Sequence, residues 1–159
     1  MVDEQEGIVT VDVSNTRVSE RALAGAVLLG GERIFFQAES LGLKAEHFRG
    51  PGERFLWGTF KEGISDGTPP DLALIFEAHP TEVARFGGFS WLSGLSGSCS
   101  SLGMVPLYVD KVIEGRRRDH LRLSALRAIE AVRDPGTSVE AVQAILEEAL
   151  AASREQSGP

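Results

Sequence analysis

Cysteine is almost missing from this 159-residue chain, and the single Cys99 excludes an intramolecular disulfide. That usage suits a reducing compartment, so a cytoplasmic location is expected. Basic residues are few. Sixteen Lys and Arg stand against 23 Asp and Glu, a formal charge of -7. A domain that grips a phosphate backbone unaided carries a basic footprint, so protein partners are expected and DNA contact only indirectly. No apolar run approaches the ~18 residues of a membrane span. The first residues, Met1 to Glu6, are acidic, so no secretory leader is expected. His47, His79 and His120 are scattered, without cysteine or carboxylate at metal spacing. A phosphate-cradling Gly-x-x-x-x-Gly-Lys-Ser/Thr loop is missing. The Ser-rich stretch Ser93 to Ser101 lacks the Gly-x-Ser-x-Gly of a nucleophile elbow. Hence no catalytic residue, cofactor or metal is expected.

What is present is helical patterning. Hydrophobic residues make up 42% and charged residues 25%, a globular balance. The chain is organised around Pro106 to Leu150, which reads as a long helix, a tight turn and a second helix. Tyr108, Val112, Leu121, Ala125, Ile129 and Val132 recur near helical spacing. Asp134-Pro135-Gly136 stops the first helix, since Pro lacks a donor and Gly tolerates left-handed angles. Thr137 to Glu140 reads as a capping box, with the Thr137 hydroxyl accepting from the Glu140 amide. Helices joined by so short a turn run antiparallel. A hairpin alone buries too little, so its stripe needs the chain's own globular part or a second copy. Self-association is expected, through Leu123, Leu126, Val139, Val142, Ile145 and Leu146.

The remainder reads as short helices: Arg17 to Leu29, Glu32 to Leu41, one from Pro51 through Ile64, Leu72 to Glu77 capped by Asp71, and a turn near Thr81 to Arg85. Phe86 to Leu95 is the densest apolar stretch, and Gly97 to Gly103 reads as a loop. The expected core is Leu23, Val27, Ile34, Phe48, Phe55, Phe60, Leu92 and Leu95, with Trp57 and Trp91 beside it. The fold class is all-α, a small globular helical bundle followed by a long antiparallel helical hairpin. Its expected parts are a flexible arm over 1–16, the globular part over 17–104, the hairpin over 105–150, and a linker start or tail over 151–159.

Five weak motifs in order carry a resemblance. They are Glu20 to Leu29; Ala45-Glu46-His47-Phe48; Arg54, Phe55, Leu56 and Phe60; Gly67-Thr68-Pro69-Pro70-Asp71; and Gly87-Gly88-Phe89-Ser90-Trp91-Leu92-Ser93-Gly94-Leu95. Tyr108, Val112, Glu114 and Leu121 follow at matching distance. Over residues 17–150 the chain resembles the N-terminal domain of DnaB-family replicative DNA helicases. It departs at Arg49 to Glu53 and at Ser98 to Met104, which bear on partner contacts more than on fold.

The resemblance implies a non-catalytic collar domain that pairs through its hairpins, forms a trimer of dimers in a hexameric helicase, and docks primase and helicase loader. The alternative is the helicase-binding domain of a primase, or a stand-alone helicase adaptor. A DnaB-type helicase continues into an ATPase domain, so the chain is read as an excised domain or a stand-alone relative. Lys111, Arg116, Arg117, Arg118 and Arg122 form the single basic cluster. They read either as a solvated face paired with Asp110, Glu114 and Asp119, or as a contact for a partner protein or for DNA passing a ring.

Overall fold

The computed structural model describes residues 2–156, with side chains from 16 to 155. Among the described residues there are eight α-helices, two short 3-10 turns and no strand, so the all-α expectation holds. The chain divides into two compact units, Met1–Val112 and Ile113–Pro159. Of the expected arm over 1–16, the side chains of 1–15 lie outside the described residues, and Thr16 is buried.

In the first unit α1 spans Val2–Gly30, longer than the Arg17 to Leu29 expected. Ala22, Leu23, Ala26 and Val27 are buried along it. Helix α2, Glu32–Ser40, buries Ile34, Phe35 and Ala38 on one face. It ends where Gly42 turns to φ 96°, a left-handed angle that costs glycine little. The Leu43 amide closes the turn on the Ala38 carbonyl at 3.2 Å.

Helix α3, Pro51–Ser65, starts with proline at its first turn, where a missing donor is harmless. Two side chains set that start, one from α1 and one from α3 itself. Buried Glu20 on α1 accepts from the amides of Arg49 at 2.6 Å and Gly50 at 2.8 Å. Arg54 donates to the Phe48 carbonyl from Nε at 3.1 Å and from Nη2 at 2.7 Å.

Helix α4, Leu72–Ala78, is capped by Asp71, which accepts from the Ala73 and Leu74 amides as the sequence implies. Helix α5 is Pro80–Phe86 and α6 is Gly88–Ser96. Helix α1 packs on α2, α3 and α6, while α5 packs on α3, α4 and α6.

The core centres on Trp57, whose ring lies 5.0 Å from Phe35 and 5.1 Å from Phe48, with Phe60 edge-on at 5.9 Å. Seven of the eight expected core residues are buried. Phe55 is the exception. It is half-buried, because the α3 face that turns inward is Leu56, Trp57 and Phe60, and Phe55 stacks on Phe86 at the margin. Trp91 is half-buried too, its ring covering Gly52. Helix α7, Val105–Arg133, adds the buried Val105, Val109 and Val112 to this unit.

His47 stands at the end of a short 3-10 helix. It is buried, and its Nδ1 accepts from the Lys44 amide at 2.9 Å, closing the 3-10 turn Ala45–His47.

Candidate functional site

The second unit is the hairpin of α7 from Ile113 onward and α8, Val139–Gln156. Its turn is built by Asp134. One carboxylate oxygen accepts from the Gly136 amide at 2.9 Å and the other from the Thr137 hydroxyl at 3.1 Å. The expected capping box at Thr137 is not formed, because α8 begins one residue later than that pattern requires, at Val139. Ser138 caps α8 instead, its Oγ accepting from the Ala141 amide at 3.1 Å.

The packing inside this unit uses small and polar side chains. Its buried positions are small or polar: Gly115, Ser124, Ala128, Ala149 and Ser153. The large apolar side chains face outward. Leu121, Leu123, Leu126, Ile129, Val132, Val139, Leu146 and Leu150 are 36–68% exposed. Val142 and Ile145 are half-buried. Of the six residues singled out for self-association, four are thus exposed and two half-buried. Leu121, Ile129, Val132 and Leu150 are exposed as well.

The basic cluster is mostly paired. Arg117 reaches Glu114 at 3.8 Å and donates to Ser153 Oγ at 3.4 Å, tying α7 to α8. Arg118 meets the same Glu114 at 3.4 Å, and Arg122 meets Asp119 at 3.7 Å. Such exposed pairs contribute at most about 1 kcal/mol each. Arg116 is half-buried and Lys111 exposed, and neither forms an ion pair among the described residues. The Arg117 link across 36 residues was not legible in sequence, since it depends on the register of the hairpin.

Among the described residues no group of three or more His, Cys, Asp or Glu is placed to hold a metal ion. Cys99 is a half-buried free thiol. Among the described residues, no helix is long and apolar enough to cross a membrane.

No protein-family model and no curated protein matches the sequence. Solved structures do. The N-terminal domain of DnaB helicase from Mycobacterium tuberculosis superposes with a TM-score of 0.73 at 17% identity, covering 82% of this chain and 95% of that one. A DnaB-like replicative helicase, solved in a study of its interactions with primase, superposes at 0.65 with 21% identity. That match covers 89% of this chain but 35% of the longer one. At these identities the likeness concerns the fold, and on that ground the chain adopts the fold of the N-terminal domain of DnaB-type replicative helicases.

Proposed function

We propose that this chain is the non-catalytic N-terminal collar domain of a replicative DNA helicase. It self-associates through the hairpin, as a dimer and, in a full-length helicase, within a hexamer. It docks primase and helicase loader, touches DNA only indirectly, needs no cofactor and works in the cytoplasm. The observation that carries this reading is the outward stripe of Leu123, Leu126, Val139 and Leu146 on a hairpin whose inner face is made of small residues. Two such hairpins bury both stripes in an antiparallel four-helix arrangement, with the same patch used on each copy. The fold shared with the two DnaB structures supports the assignment to a helicase. One of those helicases was solved for its interactions with primase, which supports the docking role.

The test is sedimentation equilibrium on the pure chain, followed by calorimetric titration with the primase and the loader of the same cell. Concentration-dependent dimers, and binding of either partner, are the expected results. A chain that stays monomeric at high micromolar concentration and binds a separate, intact helicase would transfer the assignment to an adaptor or a primase domain.

A further inference from the structure

A groove opens in the first unit between the C-terminal half of α3, the turn from Gly67 to Pro70, and α4. Its volume is about 310 Å³, the lower limit for sites that enclose a small molecule and ample for one long side chain. Two glycines shape it. Gly63 lets the turn close, with the Thr68 amide donating to the Gly63 carbonyl at 2.7 Å, and Gly67 takes φ 81°. The apolar lining is Phe60, Ile75 and Pro70, all buried, with Leu74 forming a wall that is 42% exposed.

The polar lining combines two carboxylates, Glu62 and Asp66, with Thr59, Thr68 and His79. Glu62 and Asp66 are exposed and stand four residues apart, Glu62 in the last turn of α3 and Asp66 just past its end, and both line the groove. Like charges at this spacing repel. They also sit at the C-terminal end of a 15-residue helix, where the macrodipole is negative. Neither carboxylate has a cation among the described residues, and the adjacent Lys61 is turned to Glu39 at 3.7 Å. An apolar slot ending in two uncompensated carboxylates is complementary to an amphipathic cation. An arginine side chain has that form, with an aliphatic stem and a weakly hydrated fork of donors matched to carboxylates.

We propose that this groove docks an arginine side chain presented by an extended segment of a partner protein. The stem lies on Phe60, Leu74 and Ile75, and the guanidinium bridges Glu62 and Asp66. Apolar residues flanking the arginine cover the exposed part of Leu74. The net charge of -7 steers basic segments toward the chain. The groove uses no hairpin residue, so this proposal stands apart from the collar reading.

The test is a titration of the ¹⁵N-labelled full chain, followed by amide shifts. The probes are the peptide Gly-Leu-Gly-Arg-Gly-Leu-Gly and its counterpart with neutral citrulline in place of arginine. The arginine peptide is expected to shift the amides of Glu62, Gly63, Asp66, Thr68 and Ala78 saturably, and less so at high salt. Citrulline, or the double variant Glu62→Gln with Asp66→Asn, is expected to weaken binding by about tenfold or more, as loss of a charge-assisted pair does. Both residues are exposed, and an unchanged circular dichroism spectrum verifies the fold. Val142→Asp with Ile145→Asp is expected to leave this binding intact, which separates it from self-association. The proposal is overturned by equal binding of the citrulline peptide, by shifts that map elsewhere, or by no binding at millimolar peptide. It is overturned as well if magnesium chloride alone shifts the same amides, which would assign the carboxylates to a metal ion.

Discussion

Gly25 of α1 presses its α-carbon against the main-chain carbonyl of Leu95 of α6, so that a β-carbon there would stand 2.8 Å from the Leu95 carbonyl carbon and closer still to its oxygen. Helix α1 meets α6 more extensively than any other helix of the unit, and this contact sets how near the two axes come. The obstacle is backbone, which cannot rotate away as a side chain tip can.

Gly25→Ala is therefore expected to destabilise the domain despite the better helix propensity of alanine. The expected loss is about 1–3 kcal/mol, the usual range for overpacking. Urea unfolding measures it, and a variant as stable as the parent would show that α6 shifts freely.

Phe60→Ala and Leu92→Ala remove fully buried side chains. Each is expected to cost about 2–5 kcal/mol. Phe55→Ala, at a half-buried site, is expected to cost less than either. The order of the three unfolding free energies checks the assignment of the inward face of α3.

Glu20 supplies a pH signature. Burial pushes its carboxyl above the ordinary range, aided by the nearby Glu53 and opposed by the Gly50 and Arg49 amides and by Arg17. The folded state then holds this proton more tightly than the unfolded chain does. The stability it contributes is full below the unfolded value near ~4.3 and is lost as pH rises through the folded value. Glu20→Gln cannot ionise and can still accept from both amides. Its stability relative to the parent is expected to rise as pH climbs above the unfolded value of ~4.3. A difference that stays flat above that value would show that the Glu20 carboxyl is not perturbed.

Val142→Asp with Ile145→Asp is expected to give a folded monomer. Both positions lie in the second unit, outside the core around Trp57. Sedimentation and circular dichroism on the double variant decide it, and global unfolding would mean that the stripe packs within the chain.

ATP hydrolysis is expected to be absent from the pure chain, because its sequence has no phosphate-cradling loop. A titratable turnover that follows the protein through purification would refute this.

Much of this architecture was legible in residue order alone. Apolar spacing and the glycine and proline breaks placed the helices from Glu32 to Leu95 within a few residues, and Asp71 announced its cap, because these signals are local. The turn at Asp134 was legible as a turn but not in its chemistry. Thr137, Ser138 and Asp134 all offer capping oxygens, and only the path of the backbone chose Ser138. Helical periodicity likewise showed that α7 and α8 each carry an apolar stripe. It could not show which way the stripes face, since that depends on how two helices rotate about their axes. The tertiary structure decided that Ser124, Ala128, Ala149 and Ser153 turn inward and the large aliphatic residues outward. The groove over Phe60 and Ile75 was beyond sequence for the same reason. Its acidic rim is a spacing at the end of one helix, but its floor exists only where α4 packs beside α3.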